Sequence, residues 1–448
     1  TGRLKTLWST YSLQVLEINC LPEMEPAGMR FGEQTPFCEP YWYQGYPSPY
    51  YGESHRELRK RTRHFVETRI KPFVDDWIAS GDGYPLSLHK EAFEHGLPTA
   101  GLAQAVRRAY PSEVTPDCGW DAFHELVFFD EFHRGSAGMV LMGLVINSMA
   151  LPPLLAHGTA RMKALADPVI RGDLNISLAI SEPQAGSDVA GLQTTATRVP
   201  GGFKVNGQKK WITGGFTADF LTMAVRTGLP GQRGLSLLLV DAKSQGLSRK
   251  RMPMQFDSCY NTSFLVFDDM FVPEDCLVGE EGAGFSYIME NFNHERFIIA
   301  IETCRKSRLC YEESMKYATK RKVFGKALAE QGVIRSKLAE MARLTEALYD
   351  NIERVAYAFT RGVGDKDLGG QCSLLKVNGS RTFEFCAREA SQIFGGSALV
   401  RQGQGKLIER LYREVRSTAI PGGSEEILLD QAIRQALKKM GSTRVARL

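Results

Sequence analysis

The hydrophobic period changes twice along the chain, and these changes divide it into three predicted regions. From Ser54 to about residue 172, apolar residues recur at near-helical spacing. At about Leu174, short alternating runs with turn residues between them begin, which is typical of an antiparallel β domain. Helical spacing returns at Phe285 and continues to the end. We predict an N-terminal α-helical domain over 53–173, an antiparallel β domain over 174–279 and a C-terminal helical bundle of at least four helices over 280–448.

Local signals refine this division. The first helical segment closes on Gly81, and one helix of more than thirty residues is expected from Phe285, ending at Gly325. In TTATRVPGGFKVNGQKKWIT, a turn at Pro200 separates two strands, and the Asn206-Gly207 pair predicts a hairpin after the second. Further strands are expected in DFLTMAVRT, LSLLLVDA and TSFLVFDDMFV.

Residues 1–52 are predicted to be an N-terminal extension. The stretch EPYWYQGYPSPYYGE concentrates proline and aromatic residues without a helical or strand period, and we expect it to pack on the body or at a subunit contact. The first residues, TGRLKTLWSTYSLQ, fit an ordinary extension or the remnant of a transit peptide. The terminal Ala446-Arg447-Leu448 fits a peroxisomal signal, so the expected location is the peroxisome or the mitochondrial matrix.

Composition excludes several classes of partner. The 55 basic and 51 acidic residues are spread along the chain without a basic block, so nucleic acid is not an expected partner. The nine cysteines are scattered and lack metal-ligand spacing, which predicts no disulfide and no metal site. The longest apolar runs are interrupted by Gly, Asn and Pro, so no membrane span is predicted.

Glu295 is the most informative polar residue. It shares a helical stripe with Ile288, Phe292 and Ile299. Apolar surroundings raise the pKa of a carboxyl group and make it a candidate general base. The alternative is a glutamate neutralised by a nearby arginine, and the pattern alone does not decide between them.

Other patterns allow both a ligand site and ordinary structure. The segment LAISEPQAGSD can hold a ligand's polar edge or form a plain turn. Trp211 and Thr213 share one face of a strand, where they suit either a flat heterocycle or the core. KRKVFGK suits a phosphate or a solvated helix end, and Gly395-Gly396 suits a close ligand approach or a helix C-cap.

Taken together, ISEPQAGSDVAGLQT, VNGQKKWITGG, FVPEDCLVGEEGAGF, HERFIIA, ATKRKVFGKAL and ASQIFGGSA resemble the acyl-CoA dehydrogenase family in order and spacing. The resemblance extends from about Tyr50 to Met440. It implies the same three-part fold, bound FAD and a homotetramer. By this resemblance the FAD-contacting residues are Ile180, Ser181, Trp211, Thr213, Arg321, Phe324, Gln392, Gly395, Gly396, Ser424 and Glu426.

The sequence departs from the family pattern at two places. Many members carry their catalytic glutamate before the last helix, where this chain has Gly422. Isovaleryl-CoA and long-chain members place it on the long helix instead, as HERFIIA does at Glu295. Gly214 and Gly215 follow Thr213, where an asparagine is common.

The implied reaction is FAD-dependent α,β-dehydrogenation of an acyl-CoA thioester in fatty-acid or branched-chain acyl-CoA breakdown. Glu295 would remove the α proton while the β hydrogen passes as hydride to the flavin, and the Gly422 N–H would bind the thioester oxygen. Ser187 and Arg296 are the predicted substrate contacts. Electrons would pass to an electron-transferring flavoprotein, or to O2 in a peroxisomal oxidase. A non-catalytic scaffold is the alternative from another class.

Overall fold

A computed structural model describes residues 30–97, 99, 119–135, 144–256 and 262–445. Its N-terminal helices are α1 (Glu53–Phe65), α2 (Val74–Ser80), α3 (Ser87–Glu94), α4 (Ala122–His133), α5 (Asn147–Ala150), α6 (Pro152–His157), α7 (Ala160–Lys163) and α8 (Ala166–Ile170). The chain widens into a π-helical turn, Val66–Ile70, just before Pro72, because proline lacks an N–H donor and crowds the preceding turn. As predicted, α2 ends at Gly81, whose φ of 73° is left-handed.

Residues 30–52 form a strap that enters the core. Trp42, Tyr43 and Tyr51 are buried, while the rings of Tyr41 and Tyr46 stack in the exposed part. The indole N–H of Trp42 donates to the Tyr349 hydroxyl at 3.2 Å. The strap is therefore more deeply embedded than a segment that only packs on the body. The predicted targeting segments at both ends of the chain lie outside the described residues.

The middle region contains β1 (Ile176–Ala179), β2 (Thr195–Val199), β3 (Gly202–Thr213), β4 (Phe220–Arg226), β5 (Leu235–Asp241), β6 (Leu247–Arg251), β7 (Thr262–Pro273) and β8 (Leu277–Val278). The strand order is β6-β7-β3-β2-β4-β5-β8, with β1 beside β4. Because β1 runs parallel to β4, the sheet is mixed where a wholly antiparallel one was predicted. Alternation in a sequence reports which face of a strand is buried, and it carries no information on strand direction.

The Asn206-Gly207 pair lies inside β3, so the prediction of a hairpin there was wrong. The pairing of β3 with β7 changes register between Val205 and Gly207, which marks a β-bulge. The Asn206 amide donates to Asp269 Oδ1 at 2.9 Å, and its oxygen accepts from the Asp269 backbone N–H at 2.8 Å. The asparagine side chain thus binds the neighbouring strand and does not close a turn.

The C-terminal helices are α9 (Gly284–Lys320), α10 (Gly332–Thr360), α11 (Asp365–Phe394), α12 (Lys406–Ala419) and α13 (Glu425–Val445). The 37-residue α9 ends at Lys320 and not at the predicted Gly325, because the next residues form a two-stranded hairpin, β9 (Lys322–Val323) and β10 (Lys326–Ala327). In the bundle, α11 packs against α9, α10, α12 and α13. One apolar core joins the N-terminal helices to α9, α10 and α11.

The predictions on disulfides and on membrane spans can be compared with the described residues. The six cysteines among them are all buried free thiols: Cys38, Cys276, Cys304, Cys310, Cys372 and Cys386. No described helix is both long enough and apolar enough to cross a membrane.

Candidate active site

Glu295 lies in the first half of α9, facing the loop of residues 420–424 between α12 and α13. Ile288 and Ile299 on the same stripe are buried, whereas Glu295 remains partly exposed. Within the described part of the chain, its carboxylate makes no hydrogen bond and no ion pair. The alternative of a glutamate neutralised by direct contact with an arginine therefore does not apply to these residues.

The surroundings of Glu295 favour its protonated form. Dense packing of protein atoms desolvates the carboxyl group and raises the pKa of Glu295 above its ordinary value. Positive charge at Arg296, Lys376 and His294 opposes this rise only in part. A raised pKa brings a carboxylate closer to the working range of a general base.

Gly422 lies directly against this carboxylate. A Cβ atom placed on Gly422 would be 2.7 Å from Ile299 Cδ1 and 3.8 Å from Glu295 Oε1. The φ of Gly422 is 67°, a left-handed conformation that other residues adopt at a cost. Glycine is thus favoured here by the left-handed backbone and by the close approach of Ile299, and Glu295 lies within ordinary contact distance beyond it.

Two cationic side chains hold the loop that contains Gly422. Arg296 Nε donates to the Gly422 carbonyl oxygen at 3.2 Å. Lys376 Nζ donates to the carbonyl oxygens of Ala419 at 2.5 Å and Gly423 at 2.9 Å. The structure therefore gives Arg296 a contact with the loop, and its predicted contact with substrate stays a prediction. Lys376 escaped the sequence analysis, although a lysine within the apolar run CSLLKV was a signal.

Ser424 and Glu426 occupy the start of α13. The Ser424 carbonyl oxygen accepts from the Leu428 N–H at 3.0 Å, and Glu426 is exposed. Hydrogen bonds from its own N–H and from Ser424 lower the pKa of Glu426. The neighbouring Glu425 instead accepts from Ser380 Oγ at 2.6 Å and thereby ties α13 to α11.

Ile180 and Ser181 follow β1 and are held by a buried ion pair. Lys209 Nζ contacts Glu182 Oε1 at 2.8 Å and donates to the Ile180 carbonyl oxygen at 2.9 Å. Burial lowers the pKa of Lys209 to about 8 despite Glu182. The Ser181 carbonyl oxygen accepts from the Lys210 N–H at 2.9 Å. The sequence analysis missed the pair, which fixes this segment on β3.

Trp211 and Thr213 lie at the end of β3, where Trp211 is exposed, Thr213 is half-buried and Ile212 between them is buried. The Trp211 side chain is 44% exposed, and its ring lies 4.9 Å from the Lys210 ammonium group. The next two residues are glycines because the packing is tight. A Cβ on Gly214 would be 2.6 Å from Ser177 Oγ, and one on Gly215 would be 2.5 Å from Ser263 Oγ.

A third group of predicted residues lies at the other end of the bundle. It contains the exposed residues Arg321, Phe324, Gln392, Gly395 and Gly396. Stacking of Tyr317 on Phe394, with ring centroids 4.2 Å apart, brings the C-terminal ends of α9 and α11 together here. At 1.5 Å per residue, this end of α9 is about 38 Å from Glu295. The structure thus brings Glu295, Arg296 and Gly422 together and leaves this group distant from them.

The residues predicted to contact FAD suit an aromatic cofactor. Trp211 and Phe324 have φ values of 61° and 50°, which bulky side chains rarely adopt. The Phe324 side chain is 95% exposed. Backbone strain that presents an uncovered aromatic ring is typical of a ligand site. Ser187, a predicted substrate contact, is also exposed, in the turn that follows the Ile180 segment.

Among the described residues, one group of side chains has the spacing of metal ligands. It consists of His55, Asp121 and His124. His55 Nδ1 accepts the Gly52 N–H at 3.0 Å, so the ring carries its proton on Nε2, which faces Asp121 at 3.0 Å. Asp121 also caps α4 by accepting from the Phe123 and His124 N–H groups. These hydrogen bonds leave His55 without a free lone pair for a cation, and we assign the cluster to helix capping.

Comparison with known proteins identifies the family of this chain. Family models match the acyl-CoA dehydrogenase N-terminal domain at residues 52–172, the middle domain at 177–270 and the C-terminal domain at 282–437. The chain is 36% identical over 439 residues to an acyl-CoA dehydrogenase of Emericella nidulans, covering 92% of this chain and 99% of the relative. It is 37% identical over 422 residues to one of Alternaria alternata, with 92% and 98% covered.

A solved structure shows the same fold. A probable acyl-CoA dehydrogenase from Mycobacterium abscessus superimposes with a TM-score of 0.78 at 33% identity, over 86% of this chain and 99% of that one. The predicted fold, a helical domain, a central β domain and a helical bundle, is confirmed. The chain belongs to the acyl-CoA dehydrogenase family, whose members are FAD-dependent enzymes.

Proposed function

We propose that this protein converts an acyl-CoA thioester to the trans-2-enoyl-CoA, with Glu295 as the base, in fatty-acid or branched-chain acyl-CoA breakdown. The observation that carries the proposal is the Glu295 carboxylate, which lies beside Gly422 and has no hydrogen bond or ion pair within the described part of the chain. A carboxylate without an ion-pair partner keeps its lone pairs available for a substrate proton. Family membership supports the reaction class, and the local geometry supports the choice of Glu295 as the base.

Removal of the α proton requires a polarised thioester carbonyl, because the α carbon is otherwise a weak acid. The Gly422 N–H is the proposed donor to that oxygen, next to the base. Arg296 Nε donates at 3.2 Å to the Gly422 carbonyl oxygen, which lies in the peptide unit that follows this N–H, and so limits how the backbone at Gly422 can turn. Glu295 is partly exposed, and a bound acyl chain would cover the exposed part of the carboxylate and exclude water from the proton transfer.

Bound FAD would supply the acceptor for the hydride that leaves the β carbon. Ile180, Ser181, Trp211 and Thr213 would contact the ring system, with Ser424 and Glu426 on the nucleotide side. The third group lies near the C-terminal end of α9, about 38 Å from Glu295, and is too distant to reach a cofactor there. Its members are Arg321, Phe324, Gln392, Gly395 and Gly396. We propose that they bind the FAD of a second subunit, which fits the predicted homotetramer.

The direct test is anaerobic bleaching of the FAD-loaded protein by straight-chain and branched-chain acyl-CoAs of increasing length. The proposal expects at least one thioester to bleach the flavin and yield the enoyl-CoA. A flavin that no acyl-CoA bleaches would contradict it and favour the non-catalytic scaffold. Glu295→Gln, loaded with FAD, should bind the best substrate without bleaching.

The physiological acceptor belongs to the same proposal. An electron-transferring flavoprotein is the acceptor expected in the mitochondrial matrix, and O2 is the one expected for a peroxisomal oxidase. Hydrogen peroxide formed per enoyl-CoA distinguishes the two, being near zero for a dehydrogenase and near one for an oxidase.

A further inference from the structure

Lys376 is a buried cation that faces the proposed site from α11. Its side chain is removed from solvent in the middle of the helix. A buried ammonium group is costly unless hydrogen bonds replace its hydration. Within the described residues, the replacement comes from backbone carbonyl groups at the end of α12 and in the loop after it, and not from a carboxylate.

The two hydrogen bonds of Lys376 enclose Gly422. One carbonyl belongs to Ala419, the last residue of α12, and the other to Gly423. Gly422 and Gly423 have φ values of 67° and 103°, and neither has a side chain to restrict the backbone. The loop conformation therefore depends on cations supplied by neighbouring helices, with Arg296 holding the carbonyl in between.

Lys376 also contributes to the charge around the base. Glu295 faces positive charge at Arg296, Lys376 and His294, each of which lowers the pKa of Glu295 against the effect of burial. Lys376 itself faces Glu425, Glu295, Arg296 and Glu426, and burial lowers the pKa of Lys376 to about 8. The lysine is thus electrostatically connected both to the base and to the start of α13.

We propose that Lys376 is a positioning residue for α-proton abstraction, which aims the Gly422 N–H at the thioester oxygen and places a positive charge opposite Glu295. This inference rests on the proposed dehydrogenation. Lys376 acts through the loop and through the field at Glu295, and it does not touch the substrate.

The test isolates proton transfer from the redox step. Acetyl-CoA has α hydrogens and no β carbon, so the holoenzyme can only remove a proton to Glu295 and return a deuteron from D2O. The exchange rate at the acetyl methyl group, followed by NMR against pD, reports the base and the loop alone. Glu295→Gln provides the reference, because an amide cannot accept the proton.

Lys376→Met should lower the exchange rate by about 10²-fold, which is the range for loss of one oxyanion donor. The acidic limb of the rate–pD profile of Lys376→Met should move to higher pD, because loss of a nearby positive charge raises the pKa of Glu295. Lys376→Arg should keep the wild-type limb and recover part of the rate. If Lys376→Met does not fold, Lys376→Gln replaces it, with the same shifted limb expected against Lys376→Arg.

Lys337→Met is the matched control. It removes a partly buried lysine that contacts Glu389 of α11, about 20 Å along the helix from Lys376. The exchange rate of this variant and the pD of its acidic limb should both stay at wild-type values. If the acidic limb of the exchange profile lay at the same pD in Lys376→Met and Lys376→Arg, the inference would be overturned. Exchange that persists in Glu295→Gln would instead overturn the proposed function.

Discussion

The two halves of α9 hold their charged side chains in opposite ways. In the second half, Glu302 contacts Lys306 at 2.6 Å, and Lys306 also contacts Glu414 of α12 at 2.8 Å. Seven residues earlier, Glu295 has no such partner within the described part of the chain. Two helical turns therefore separate a paired glutamate from an unpaired one.

The pKa values of these two glutamates move in opposite directions, because the balance between burial and nearby positive charge differs. Burial by itself would raise the pKa of Glu302, but Lys306 and His133 outweigh it, so the pKa lies below the ordinary value. For Glu295, desolvation outweighs the charges nearby and the pKa rises. The second half of α9 uses charge to join helices, whereas the first half retains a carboxylate ready to accept a proton.

The largest expected effect is a loss of folding stability, and it tests the ion pairs of the second half of α9. Glu39 of the strap accepts from Arg63 at 3.0 Å and from Arg305 of α9 at 2.9 Å, and it contacts Arg134 at 3.2 Å. Glu39→Gln would leave buried guanidinium groups without their common anion and should lower the free energy of unfolding by about 3–5 kcal/mol. Thermal melting measures the loss. Glu33→Gln, which breaks a more exposed contact with Lys316, is the control and should cost much less.

Next in size is the effect of filling the space beside the base. Gly422→Ala places a Cβ between Ile299 and Glu295, and turnover should fall by about 10²-fold because the base and the N–H are displaced. Gly423→Ala is the matched control. Its Cβ would be 2.7 Å from Leu428 Cδ2 at a φ of 103°, so it disturbs the same loop away from Glu295. Comparable turnover losses in the two variants would contradict the special role of Gly422.

Glu302→Gln should lower stability and leave catalysis nearly unchanged, which is the reverse of the effect expected for Gly422→Ala. Loss of a buried partner for Lys306 should lower the free energy of unfolding by roughly 1–3 kcal/mol and leave flavin bleaching within about threefold of wild type. Because the folded pKa of Glu302 is depressed, its contribution is present above the ordinary carboxyl pKa and is lost as pH falls through the folded value. The difference in melting temperature should therefore shrink in acid.

The smallest effect has the opposite sign. Because the folded pKa of Glu295 is raised, this residue costs stability as pH rises above the ordinary carboxyl pKa, and the cost is complete above the folded value. Glu295→Gln should melt slightly above wild type at neutral pH, and the two should converge as pH falls to the ordinary carboxyl range. A variant that melts below wild type at neutral pH would indicate an ion pair at Glu295.

The sequence predicted these regions unequally, for physical reasons. Periodicity located the helical and strand regions and marked Glu295 as a candidate, because both depend on residues near in sequence, while the choice of Glu295 as the base came from the family resemblance. The Asn206-Gly207 bulge and the parallel β1 escaped because each depends on a distant strand. Lys209, Lys376 and Glu39 escaped for the same reason, since a buried charge is recognisable only beside its partners.

The central claim is that Glu295, and not another carboxylate of α9, removes the α proton. The most direct measurement is the rate of anaerobic flavin bleaching by the best acyl-CoA in wild type, Glu295→Gln and Glu302→Gln, each loaded with FAD. We predict a loss of about 10³-fold or more for Glu295→Gln and near wild-type bleaching for Glu302→Gln. Bleaching by FAD-loaded Glu295→Gln within tenfold of wild type would contradict the account.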